Sequence, residues 1–179
     1  MWYVLECRKG QEGRIRDACR RQLSPEALED AFVFRCERFW RSEGMWKQVE
    51  RDMFPGYVFL QSGRPELLSE EIKKYRGVFH VLEEPGYLIP IYEEEEAYLR
   101  ELCGGQRVLP VSFGYRDQEA GRDLITRGPL RGREKQLVRI DWHRRFAQME
   151  VSLARRRAVI WAGIGLDKGV RERWNVCRP

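Results

Sequence analysis

Residues 124–141 read LITRGPLRGREKQLVRID, and their reading decides the fold of the second half of the chain. A short apolar segment runs into Gly128-Pro129, Gly132 follows, and a second alternating segment ends in Ile140-Asp141. Glycine takes positive φ without the clash a Cβ would make, and proline presets φ near the value a turn needs. The stretch is predicted to be strand, tight turn and strand. It forms a small β-module that presents Arg127, Arg131, Arg133 and Lys135 to a partner.

Short β-segments surround this module. Besides 124–126 and 136–140, residues 146–153, 157–161 and 163–166 read as strands separated by close turns, with no helical stripe. That pattern predicts a small barrel over 121–166. Residues 105–120 have weak periodicity and scattered charge and are expected to be a linker, and 167–179 a polar tail. Upstream, 1–104 reads as a separate domain. Trp2 to Cys7 is an apolar run suited to a buried strand, and Ile15, Ala18, Cys19 and Leu23 fall on one helical face. Residues 32–41 and 45–53 alternate around Ser42-Glu43-Gly44 and predict a long hairpin, whose polar outer part is expected to project. After Phe54-Pro55-Gly56, the run Tyr57-Val58-Phe59-Leu60 is predicted at a sheet centre. Pro65 opens a second helix, 78–82 reads as a strand, and 93–103 as a third helix. The run Glu93 to Glu96 sits where a helix dipole favours negative charge, which explains it better than a metal site does. The fold class expected is an α+β domain with helices on an antiparallel sheet, followed by a small all-β barrel.

Charge divides the chain in the same way. Residues 1–103 hold 16 Lys/Arg against 20 Asp/Glu, a net −4, and residues 104–179 hold 17 against 8, a net +9. Halves of opposite sign suit modules with different partners, and the basic one is a candidate nucleic-acid surface. Its cations are Arg127, Arg131, Arg133, Lys135, Arg139, Arg144, Arg145, Arg155, Arg156 and Arg157. Guanidinium groups grip phosphate in pairs and stack on bases. Trp142 and His143 lie within the basic turn, as in proteins that bind looped RNA, although Trp142 suits a barrel core equally well. In the first half the aromatic residues outnumber what one core face holds, so one sheet face is expected to offer an apolar groove to a partner helix; the alternative is that helices cover both faces.

Other chemistries find no support. No phosphate-cradling glycine loop and no nucleophile elbow occurs, so no residue set nominates an enzyme or a cofactor. His80 lies in an apolar segment and reads as a core histidine. The five cysteines lack C-x-x-C spacing, and reduced, mostly buried thiols are expected. No apolar run approaches the ~18 residues of a membrane span. The opening MWYVLE lacks the basic start of a secretory signal, so a cytoplasmic location is expected.

These residues carry a resemblance. Trp2-Tyr3-Val4, the helix after it, the long hairpin and Phe54-Pro55-Gly56-Tyr57-Val58-Phe59 resemble the N-terminal domain of the NusG family. Gly128-Pro129-Leu130-Arg131-Gly132 with Ile140-Asp141 resembles that family's C-terminal KOW motif, an SH3-like barrel. Within the family, Cys7-Arg8-Lys9-Gly10-Gln11 and the GPLRG turn are most similar to the specialised RfaH-like and LoaP-like antiterminators. The resemblance implies a transcription elongation factor whose N-terminal domain docks on the β′ clamp helices of RNA polymerase. It implies Val4, Phe54, Tyr57 and Phe59 as the docking patch, and Arg8, Lys9 and Arg76 as residues facing DNA or the opposite cleft wall. Together with the charge of the basic half it makes nascent RNA, hairpins included, the expected partner of that half. Two positions depart from the family: Lys135 stands where a glycine is usual, and Ala154-Arg155-Arg156 replaces the Phe-Gly-Arg turn that contacts ribosomal protein S10 or Rho. Loss of the aromatic anchor weakens the S10 and Rho reading. A general factor coupling polymerase to ribosome or Rho, and a ribosome-associated KOW protein binding ribosomal RNA, stay open as alternatives.

Overall fold

The computed structural model describes residues 1–75 and 88–167. The expected strand 78–82, His80, Arg76 and the tail after Asp167 lie outside these residues. The described chain falls into two compact units. The first comprises 1–34, 52–101 and 152–156; the second comprises 35–51, 102–151 and residues from 157 on.

The first unit is built on a four-stranded antiparallel sheet, with β2 (Asp30–Phe32), β5 (Tyr57–Gln61), β1 (Trp2–Glu6) and β6 (Ile89–Pro90) in that spatial order. β1 runs against β5 with Val4 opposite Phe59. Both central strands are almost wholly buried, as their unbroken apolar runs require. Alternation sends Tyr3, Leu5, Val58 and Leu60 to one face, where α1 (Glu12–Gln22) contributes Ile15, Ala18 and Cys19 and α2 (Pro65–Lys74) contributes Leu68 and Ile72. The same alternation sends Trp2, Val4 and Phe59 to the opposite side. There Trp2, Phe32, Phe34, Phe54 and Phe59 pack ring against ring, mostly edge to face, at centroid separations of 4.9–6.1 Å. The third helix, α3 (Glu93–Cys103), falls where the sequence places it, with Leu99 and Leu102 buried.

The hairpin reading of 32–53 needs one correction. Phe32 belongs to β2 and pairs with Phe59 in the four-stranded sheet. The hairpin proper is β3 (Arg35–Ser42) with β4 (Met45–Asp52). Val33 and Phe34, both buried, separate the two strands.

The second unit holds a three-stranded sheet, β4-β3-β7 with β7 at Val108–Leu109, and a five-stranded sheet. The latter is ordered β10 (Leu137–Asp141), β11 (Phe146–Leu153), β12 (Arg156–Leu166), β8 (Ser112–Asp117), β9 (Arg122–Arg127). Two expectations are corrected here. The segment expected as linker carries β7 and β8. β8 pairs antiparallel with β9 and parallel with β12, satisfying its backbone groups in a way that short-range periodicity does not announce. And 124–141 is no hairpin. β9 and β10 are both strands, but they stand at opposite ends of the sheet order, each paired to another neighbour. The connection between them turns at Gly128 (φ +94°), where a Cβ would come within 2.7 Å of Ser112, and passes through a short 3-10 turn at Glu134–Gln136. Leu130 is fully buried within it, and its N–H donates to Ser112 Oγ at 3.1 Å. The strands expected at 157–161 and 163–166 are one continuous strand, β12.

Cys7, Cys19, Cys36 and Cys103 are buried thiols, and Cys177 lies outside the described residues. Burial pushes the thiols of Cys19 and Cys103 up to about 12 and that of Cys7 to about 11, which keeps them protonated. Among the described residues no cluster of metal-ligating side chains occurs, and no helix is long and apolar enough to cross a membrane.

Candidate functional site

In the first unit, the predicted docking residues converge on the junction of β1 and β5. The Cys7 N–H donates to the Gly56 carbonyl at 2.8 Å, and the Gly56 N–H donates to the buried carboxylate of Glu12 at 2.6 Å. These bonds lock the 54–56 turn to the loop that carries Arg8 and Lys9, both exposed. Tyr57 N–H closes the turn onto the Phe54 carbonyl. Tyr57 is half-buried, whereas Val4, Phe54 and Phe59 lie inside the aromatic cluster. Of the four residues, Tyr57 alone presents surface, and the other three are buried. The aromatic excess seen in the sequence is absorbed in this interior.

A carboxylate overlooked in the sequence organises another part of the unit. Glu95, on the first turn of α3 and 5% exposed, accepts hydrogen bonds from Ser152 Oγ (2.6 Å) and from the backbone N–H groups of Ala154 and Arg155 (2.9 Å each). It also accepts from Tyr92 N–H, a local cap of its own helix. Ala154 and Arg155 have φ of +53° and +57°, a two-residue turn of the kind that glycine and asparagine favour. Their backbone donors converge on Glu95, and the Arg155 guanidinium lies 3.8 Å from the centre of the Tyr92 ring. Burial raises the Glu95 pKa, but the hydrogen bonds from Ser152, Arg155, Tyr92 and Ala154 outweigh it and hold the carboxyl below its ordinary range. The glutamate run therefore does more than complement the helix dipole.

The predicted RNA-contacting residues of the second half are distributed over several elements. Arg127 and Arg131 are exposed on β9 and the connection after it; Arg127 lies 4.2 Å over Phe113 and 3.9 Å from Asp167. Arg133 donates to the Pro129 carbonyl, and Lys135 is exposed in the 3-10 turn. Arg139, on β10, pairs with Asp141 at 3.5 Å, and Arg157 pairs with Glu150. Trp142 is half-buried and its indole N–H donates to Asp123 at 2.8 Å, while His143 is exposed beside it. Arg155 belongs to the turn at Glu95, and Arg156 is the first residue of β12.

Two of the predicted cations, Arg144 and Arg145, instead join a groove that involves the β3–β4 hairpin. The hairpin does not project free of its unit. β12 passes so close that a Cβ at Gly163 would lie 2.5 Å from the Glu37 carbonyl and 3.0 Å from Arg38 Cα. Arg38 spans the junction: its Nε donates to the Trp161 carbonyl at 3.2 Å, and its guanidinium lies 5.3 Å from that ring. Arg145 sits 4.7 Å from Trp46 and 5.5 Å from Phe39, Arg41 approaches Trp46, and Arg51 approaches Trp40, both at 6.0 Å. The Phe146 and Trp161 rings lie 4.6 Å apart, tilted by 31°. The groove encloses about 380 Å³ and is lined by five arginines, five aromatic rings and Val49, with no carboxylate. Trp40 and Trp161 are 58% and 42% exposed. Its sequence signal was present in Phe39-Trp40-Arg41, Trp46 and Arg51, but these lie on the acidic side of the charge division, remote from the basic half.

Comparison with known proteins gives two findings. The family model described as transcription termination factor nusG matches residues 1–100. A solved structure described as a domain interaction in Thermotoga maritima NusG is similar over 90% of this chain and 92% of that chain, at 16% identity and a TM-score of 0.42. No curated protein matches the chain.

Proposed function

The chain belongs to the NusG family of transcription elongation and termination factors, whose members bind RNA polymerase, and from that premise we propose that it is a processive antiterminator of the LoaP-like or RfaH-like kind. In this reading the first unit docks on the β′ clamp helices of polymerase through Tyr57, with Arg8 and Lys9 toward DNA. The KOW half contacts nascent RNA. The observation that carries the reading is the concentration of cationic charge: a net +9 over 104–179 against −4 over the polymerase-binding part. A surface of this sign draws in the transcript, and it replaces the aromatic anchor with which relatives of the family hold S10 or Rho.

No catalytic step is required. Binding to polymerase and transcript together raises the effective concentration of each contact for the other, so the factor stays with the elongating complex. Terminator readthrough by the full-length protein on purified polymerase tests this directly. Tyr57→Ala is expected to weaken polymerase binding about tenfold or more, as loss of an interface aromatic does, with readthrough falling in parallel. Undiminished polymerase binding and readthrough in Tyr57→Ala would overturn the docking assignment, and no readthrough by the wild-type protein would overturn antitermination.

A further inference from the structure

We propose that the groove lined by the β3–β4 hairpin, the β10–β11 turn and β12 is a binding site for a short stretch of single-stranded RNA. Bases stack on Trp40, Trp46 and Trp161, and phosphates meet Arg41, Arg51 and Arg144. The proposal rests on the reading of the second half as RNA-contacting, and adds where and how the contact is made.

Three observations select this occupant. The lining carries five arginines and no carboxylate, so the ligand is anionic along its length. A second copy of the same surface is excluded by its own charge. The apolar part of the groove is aromatic rather than aliphatic, and Trp40 and Trp161 are about half exposed. Such rings offer flat faces, which unpaired bases fill whatever their identity, because every base has a π-face. The arginines stand within 4.7–6.0 Å of these ring centres, so cation and stacking surface alternate at short range, as phosphate and base do in a nucleotide chain. β12 passes close to the hairpin at Gly163, and Trp161 lines the groove together with the hairpin rings.

The test is a titration of the full-length protein with a fluorescein-labelled, mixed-sequence oligoribonucleotide of about 12 nucleotides, within the site sizes of single-strand binders. Wild-type protein is expected to bind with quenching of tryptophan fluorescence. Trp40→Ala is expected to lose about tenfold in affinity, a loss ordinary for one stacking platform, and Trp40→Phe to retain most of it. Arg51→Ala is expected to lower the log–log salt slope by about 0.7, one phosphate contact to a single strand. Trp40 is exposed, so an unchanged thermal melt separates these effects from misfolding. Wild-type affinity in Trp40→Ala, together with loss of binding in Arg131→Ala, would remove the groove and leave the RNA reading standing on the β9–β10 connection. Absence of RNA binding by the wild-type protein would overturn both. Tighter binding of the deoxy oligonucleotide of the same sequence would overturn the assignment to RNA.

Discussion

The aromatic residues of the two units meet opposite fates. In the first, Trp2, Phe32, Phe34, Phe54 and Phe59 close on one another, and Phe59 is fully buried. In the second, Trp40, Trp46, Phe146 and Trp161 each have an arginine over the ring, and two of them remain exposed. The difference comes from neighbours. Trp2 and Phe59 sit in strands whose adjacent residues are apolar, so both faces enter a core. Trp40 sits between Phe39 and Arg41 on a hairpin whose next residues are charged. A cation beside a ring is held by the ring's quadrupole while its own charge stays hydrated. Arg100 does this for Trp2 as well, 4.2 Å from a ring that is itself buried, so what separates the units is exposure: Trp40 and Trp161 keep surface in water and Trp2 does not. A count of aromatics therefore says little about binding; the exposure of each ring says more.

Mutation can break this contrast. Phe59→Ala is expected to cost about 3–5 kcal/mol, since it opens a cavity where five rings meet; denaturant unfolding followed by tryptophan fluorescence measures it. Gly163→Ala drives a methyl against the Glu37 carbonyl and is expected to cost about 1–3 kcal/mol, the range for overpacking. The same substitution is expected to separate Trp161 from the hairpin rings, and an unchanged near-ultraviolet aromatic spectrum would argue against that packing. Glu95→Gln keeps shape but removes the charge that two backbone donors and Ser152 share, at an expected cost of about 1–2 kcal/mol, with faster amide exchange at Ala154 and Arg155. The same group has a pH signature. Its folded pKa is depressed, so its contribution is complete above the unfolded value of about 4.3 and is lost as pH falls through the lower folded value. The acid limb of a stability profile is therefore expected to flatten in Glu95→Gln. Trp40→Ala is expected to change stability by no more than about 0.5 kcal/mol, because the ring is mostly in water. A loss comparable to that of Phe59→Ala would erase the distinction between the two units.

Much of the first unit was legible in sequence. The stripe Ile15, Ala18, Cys19 marked α1, Pro65 marked the start of α2, the glutamate run marked α3, and two unbroken apolar runs marked β1 and β5. The candidate site was legible only in composition. Arg144 and Arg145 stand out in the basic half, but Arg38, Arg41 and Arg51, which complete the groove, lie about a hundred residues away in a segment whose pattern is that of a projecting hairpin. In the sequence Glu95 only complements a dipole, because nothing local reveals that the 154–155 turn comes to it.

Taken alone, the sequence determined which segments are helical, which are extended and where the chain turns, because periodicity, caps and the φ preferences of glycine and proline act within a few residues. Tertiary structure decided which strands are neighbours: β9 with β8 and not with β10, β8 out of an expected linker, and the hairpin against β12. An extended segment exposes the same row of donors and acceptors whichever partner it meets. Pairing is therefore chosen by which distant strand buries the shared apolar face, and that choice is made only when the whole chain packs.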